Sequence, residues 1–240
     1  MKPALFVLTV LLSISAASSR AEEVRVVYFT FDPLIREAGG HATGPLVDII
    51  HQMSDGLDLR FDAEPMPIKR TLMVMRTEPV LLPVLARTPQ RENDYIWLGQ
   101  LYCDDLVMAT LPPAAPVDSL DQARALKSIG TGRGGVGEDF LIRNGFETLE
   151  TSSNMFLDAR KLREGRVDGW FAFRLNILAA WRRTGGTPDE LRIGSSLSSV
   201  CLWMAASKSM PPATVDKLRA NLGRLIEDHT VAHALDELAR

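Results

Sequence analysis

The chain is poor in cysteine, tyrosine and histidine, with two, three and four of them in 240 residues. Cys103 and Cys201 alone are too few for a cysteine metal site or a disulfide-stapled miniprotein. His229 and His233 have the i,i+4 spacing that zinc sites use, but the glutamate of an H-E-x-x-H motif is missing. They read as a helix surface, and no cofactor or metal is implied. A surplus of positive charge is also lacking: 27 Lys and Arg stand against 30 Asp and Glu. No nucleic-acid footprint follows from that balance. Nor does any apolar run reach the roughly 20 residues of a membrane helix, so no membrane insertion is expected.

What is present at the start is a leader. Lys2 precedes a short apolar run from Ala4 to Ile14, then small residues ending Ser19-Arg20-Ala21. A basic residue, a short apolar core and small residues before the cut describe a secretory signal peptide over residues 1–21. Removing it deletes Lys2 and Arg20 and no acid, leaving 25 basic against 30 acidic residues, a net −5. No cysteine lies near the cut, so the mature chain is expected to be exported, unanchored by lipid, to the periplasm. In an oxidising compartment Cys103 and Cys201 are either a disulfide or two buried thiols.

The mature chain alternates strands and helices. Val24, Val26 and Val27 mark a first strand, followed by a loop over Phe29–Gly40. Pro45 opens a helix with Leu46, Ile49, Ile50 and Met53 at helical spacing, and Leu57–Ala63 alternates as a strand. Pro67 opens a helix through Arg76, and Pro79–Leu85 is a buried strand. Tyr95–Leu111 is long, extended and apolar except at Asp104-Asp105. The Pro112–Pro116 stretch reads as a stiff boundary connector. Beyond it, helices are expected at Ser119–Leu126, Glu138–Asn144, Asn154–Glu164 and Leu175–Arg183. A strand is expected from Ser128 into the glycine-rich turn that ends at Gly137, a turn and buried strand over Gly165–Phe173, and a short strand at Leu191–Ile193. Val200–Ala206 is extended, and helices over Pro212–His229 and Val231–Leu238 close the chain. The pattern predicts α/β architecture with largely parallel sheets. Both halves repeat a similar order, so two lobes are expected. The chain would cross at Tyr102–Leu111 and return near Val200–Ala206, giving lobe I as 22–105 with 202–240 and lobe II as 106–201.

Ala86-Arg-Thr-Pro-Gln-Arg-Glu92 is a charged turn between two strands, at a sheet edge where such folds hold ligands. Its guanidiniums can grip a carboxylate in a bidentate fork. Read alone, it also fits a surface turn whose arginines pair with Glu92 and Asp94. Gly132-Arg-Gly-Gly-Val-Gly137 ahead of a helix is either a flexible turn or a nest of N–H groups for an anion, with Arg133, Gly134, Gly135 and Val136 as contacts. Arg70 opens a helix as a cleft cation or a solvated charge. Phe31 is the better cleft-wall aromatic, whereas Trp97 and Trp170 sit in apolar strand runs and read as core.

Together these pieces resemble the small amino-acid-binding periplasmic proteins, bacterial extracellular solute-binding family 3. Gly44-Pro-Leu-Val-Asp48, Pro67-Ile-Lys-Arg70, Arg87–Glu92, Trp97–Tyr102, Ser119-Leu-Asp121, Gly165-Arg-Val-Asp168 and Ala206-Ser-Lys208 carry the likeness across nearly all of the mature chain. The resemblance implies a type II two-lobe fold with two hinge crossovers, working as a monomer with an inner-membrane ABC permease. It assigns Arg91 to a ligand carboxylate, with Arg133 or Arg174 adding charge from the second lobe. The chain departs from the pattern at Val84 and Ala86, where hydroxyls are usual. It departs again near Phe173, where an acid for an ammonium is usual. A small organic anion or aromatic-faced solute is therefore expected in place of an ordinary amino acid. An enzyme of the dehydratase kind on this scaffold would draw on Glu37, Glu92 or Glu138, and a ligand sensor docking on a receptor is the third reading.

Overall fold

The computed structural model describes residues 21–239. The leader expected over 1–21 lies, but for Ala21, outside the described residues. Four strands and two helices build the first half: β1 (Glu22–Val26), β2 (Arg36–Ala38), β3 (His41–Thr43), α1 (Pro45–Gln52), β4 (Leu57–Phe61), α2 (Ile68–Thr77). There follow β5 (Val80–Ala86), β6 (Tyr95–Thr110), α3 (Leu120–Arg124), β7 (Ile129–Gly132), α4 (Val136–Arg143) and β8 (Leu149–Ser152). The chain ends with α5 (Met155–Arg163), β9 (Gly169–Phe173), α6 (Arg174–Arg183), β10 (Arg192–Ile193), β11 (Ser198–Ser207), α7 (Pro212–Glu227) and α8 (Thr230–Ala239).

One sheet runs through the molecule in the order β4-β1-β5-β11-β6-β9-β7-β8, with β10 beside β6. Its two ends are parallel, β4-β1-β5 and β9-β7-β8. Between them the long strands β6 and β11 pair antiparallel from Ser198–Leu106 to Ser207–Tyr95. These are the two crossovers, and they make two lobes. Cys103 and Cys201 face each other in that ladder and are joined by a disulfide. β5 is buried along its whole length, as its run Val-Leu-Leu-Pro-Val-Leu-Ala requires. Pro83 has no N–H for a ladder, and the β5–β11 register shifts at that point, between Trp203 and Ala205.

α1 starts at Pro45 and buries Leu46, Val47, Ile49 and Ile50 on the first lobe. α7 lies on the same lobe: Val215, Leu218 and Leu222 are buried, and Asn221 Nδ2 donates to Met53 O and Asp55 O at 2.8 and 2.9 Å. α6 takes its N-terminal cap from elsewhere. Phe173 has no capping side chain, and Asp104 on β6 accepts the Leu175 N–H at 3.1 Å. Asp104→Ala is expected to cost about 1 kcal/mol of stability by urea unfolding, the usual value of a lost cap. An unchanged unfolding midpoint would show that the cap contributes nothing.

Three local readings are corrected. The loop at Phe29–Gly40 contains β2 and the turn of the β2–β3 hairpin, where Gly39 and Gly40 are both at positive φ, 61° and 78°. β8 is a four-residue edge strand with too short a pattern to stand out. Pro112–Pro116 is no boundary. It is a turn at the end of β6 inside the second lobe, closed by Ala114 N–H to Leu111 O and by Thr110 Oγ1 to Ala115 O.

Candidate functional site

A cavity of about 430 Å³ lies between the lobes. The first lobe walls it with the segment after β1 (Phe29–Phe31), the approach to α2 (Pro65–Lys69) and the β5 end with Arg91. The second lobe contributes Thr131–Arg133, Gly135–Gly137, Ser152–Met155, Asp158, Trp170–Phe173 and Asn176. Phe31 meets Phe29 and Phe173 edge to face, with centroids 5.9 and 6.0 Å apart. Phe31 and Phe173 come from opposite lobes, so this aromatic wall closes the cleft.

Arg91 is 9% exposed. The turn after β5 aims it inward: its own N–H bonds Thr88 O at 2.9 Å, and its guanidinium donates to Ala86 O at 3.4 Å. Across the cleft it reaches Asp139 Oδ2 on α4 at 3.2 Å. Burial pulls the guanidinium below its ordinary pKa, and Asp139 opposes that shift. The neighbouring arginine behaves differently. Arg87 pairs with Glu92 and lies over the rings of Trp97 and Trp203, 5.3 and 4.3 Å from their centroids. Asp94 takes Arg76 at 3.0 Å.

Of the residues expected at the cleft, Arg91, Phe31, Arg133, Gly135 and Val136 line the cavity, while Arg70, Gly134 and Arg174 stand outside its wall. Arg70 is exposed: Ile68 and Lys69 face the second lobe at Gly134, and the helical turn carries the next residue about 100° further round. Arg174 is held back by Gly194 O at 3.4 Å. The glycine-rich turn is also not an open nest. The N–H groups of Arg133, Gly134 and Gly135 bond Ser152 O, Glu138 Oε2 and Gly132 O. Arg133 itself is exposed, its guanidinium on Thr151.

Gly134 has another use. It sits at φ +76°, and a Cβ there would meet Lys69 Cγ at 2.7 Å and Ile68 Cγ2 at 3.0 Å. A side chain is therefore excluded where the lobes touch. Asp32 forms a second inter-lobe contact, accepting from Arg183 and, through its carbonyl, from Asn176 Nδ2. Gly134→Ala is expected to hold the lobes apart, seen as a larger radius of gyration in X-ray scattering of the protein. An identical scattering curve would remove this role.

Sequence reading missed Asp139, Asp158 and Asn176. Asp158 left one signal, an acid on the buried stripe Met155–Asp158–Ala159–Leu162 of α5. Trp170 is core as expected, fully buried with Ala159 and Ile177, and it also reaches the cavity wall.

No protein-family model and no curated protein matches the chain. Solved structures do. An amino acid ABC transporter substrate-binding protein from Streptococcus pneumoniae, bound to L-arginine, is 15% identical, with TM-score 0.74, covering 94% of this chain and 97% of that one. A histidine kinase sensor domain with similarity to periplasmic binding proteins gives TM-score 0.78 at 12% identity, over 91% and 96%. An ancestral amino-acid-binding protein, a precursor of cyclohexadienyl dehydratase, gives 0.74 at 14% identity, over 91% and 95%. The fold is that of the periplasmic binding proteins. At these identities the likeness establishes the periplasmic binding protein architecture, and the solute has to be read from the cleft itself. No described helix is long and apolar enough to cross a membrane.

Proposed function

We propose that the chain is an exported periplasmic solute-binding protein. It encloses a small carboxylate-bearing organic solute between lobe I (22–105 and 202–240) and lobe II (106–201) and presents it, as a monomer, to an inner-membrane ABC permease. One observation carries the reading: a buried guanidinium, Arg91, stands in the wall of a cavity shared by the two lobes. A buried cation costs free energy unless an anion offsets it, and Asp139, half exposed, offsets it only in part. A solute carboxylate completes the pairing. The kinship of fold with amino-acid transport proteins supports the same reading. A melting-temperature screen of residues 22–240 against small carboxylates tests it, since a ligand that binds only the folded state raises the midpoint. A rise with at least one carboxylate is expected, and none with any of them overturns the reading.

A non-enzymatic role is the better reading of the acids. Glu37, Glu92 and Glu138 are not in the cavity wall, and Glu92 and Glu138 are engaged by Arg87 and Gly134. The enzyme alternative keeps one support, a buried acid in the wall, Asp158. Turnover of a bound solute that Asp158→Asn abolishes without weakening binding would establish it.

A further inference from the structure

Among the described residues, five buried side-chain polar atoms have no hydrogen-bond partner: Tyr28 Oη, Tyr102 Oη, Asp158 Oδ2, Trp170 Nε1 and Asn176 Oδ1. The last three belong to residues lining the inter-lobe cavity. Buried polar atoms are rarely left unpaired, so a concentration of them in one wall points to a ligand that pairs them. Two of the three are acceptors.

Asp158 is fully buried on α5. Ser152 Oγ donates to its Oδ1, which fixes the carboxylate and leaves Oδ2 unpaired. Asn176 on α6 is equally buried, and its amide orientation is set from outside the cavity. Nδ2 donates to the Asp32 carbonyl, which can only accept, so Oδ1 is the atom left over. Trp170 Nε1 is a donor and has no part in holding a cation.

The charge of the wall narrows where a cation could sit. Lys69, Arg91 and Arg133 make it cationic on balance, and among the described residues Asp158 is its one carboxylate, so a cation can be held only there. Phe29, Phe31 and Phe173 complete the surroundings, and an aromatic ring attracts a cation that lies over its face. The end of β9, where Phe173 stands, brings no charge. The acid comes instead from the helix behind it.

We propose that Asp158 Oδ2 and Asn176 Oδ1 form a subsite for a cationic nitrogen of the solute, an ammonium or guanidinium. This rests on the proposed carboxylate site at Arg91 and adds the opposite end: the solute is dipolar, and dicarboxylates are excluded. Burial raises the Asp158 pKa, and the Ser152 hydrogen bond and the Lys161 charge offset that only in part.

The test uses residues 22–240 and three sets of probes at neutral pH: glutarate and succinate; agmatine and butylamine; 4-guanidinobutyrate, L-arginine and L-lysine. Melting temperature is read for the native protein, for Asp158→Asn and for Arg91→Met, followed by titration of the probes that bind. Asparagine keeps the volume and the Ser152 acceptor, and a cooperative unliganded melt no lower than that of the native protein confirms folding. Probes with a cationic nitrogen should stabilise the native protein, and Asp158→Asn should weaken them on the order of a hundredfold. Dicarboxylates should not bind. Binding of dicarboxylates that Arg91→Met abolishes and Asp158→Asn spares would overturn the subsite and leave the carboxylate reading standing. Binding of agmatine that responds only to Asp158→Asn would support the subsite and remove the Arg91 reading. Stabilisation by no cationic probe overturns the subsite.

Discussion

Replacing Arg91 with methionine is expected to weaken solute binding by about 30-fold or more while leaving the unliganded fold as stable as before, or more so. The two effects have one cause. Arg91 is a guanidinium with 9% exposure, and its internal partners are a carbonyl at 3.4 Å and a half-exposed carboxylate at 3.2 Å. Pairing with an exposed carboxylate contributes at most about 1 kcal/mol, whereas desolvating the charge costs several. Methionine fills similar space without that cost. For a bound carboxylate the change is the opposite, because a buried anion is left without its partner, at about 2–5 kcal/mol. Urea unfolding with and without solute separates the two effects. A residue that is neutral or unfavourable for folding and needed for binding has the signature of a site, not of a scaffold. A variant that unfolds several kcal/mol more easily would make Arg91 structural.

The second large effect concerns pH. Burial lifts the Asp158 carboxyl from an ordinary 3.8 to about 6, with the Ser152 hydrogen bond and the Lys161 charge pulling the other way. The folded state therefore binds a proton more tightly than the unfolded one. Its contribution is fully present below about pH 4 and is lost as pH rises through about 6, for a total of about 3 kcal/mol. Asp158→Asn has no such proton to lose. The variant should show a flatter stability profile between pH 4 and 6 and should be the more stable protein at pH 7, by urea unfolding without ligand. Parallel profiles for the two proteins would mean that the carboxylate is solvated in the free protein.

The parts of this architecture that could be read from the chain are those whose pattern is local. α1, β5 and α7 announce themselves by Pro45, by an unbroken apolar run and by Val215, Leu218 and Leu222 at helical spacing. Arg91, read alone, fitted a surface turn as well, and the resemblance singled it out; the structure puts it in the cavity wall, aimed by a turn within five residues of it. The β2–β3 hairpin and β8 were not legible, since three- and four-residue strands carry no period. The second-lobe side of the site was harder still. Asn176 and Asp32 meet across 144 positions, and Arg91 and Asp139 across 48. Asp158 looks in sequence like any acid in the first turn of a helix, where negative charge is common. Only its place on the stripe between Met155 and Leu162 sets it apart, and that gains meaning once the lobes face each other. Phe173 suggested a second-lobe wall without an acid, whereas the fold brings the Asp158 carboxyl into it from α5.

The most direct test of a carboxylate held between the lobes is calorimetric titration of residues 22–240 with the carboxylate giving the largest melting-temperature rise. Native protein and Arg91→Met are titrated side by side. One solute per chain is expected for the native protein, with affinity lower by about 30-fold or more in the variant. Equal affinity in the two proteins would contradict the account.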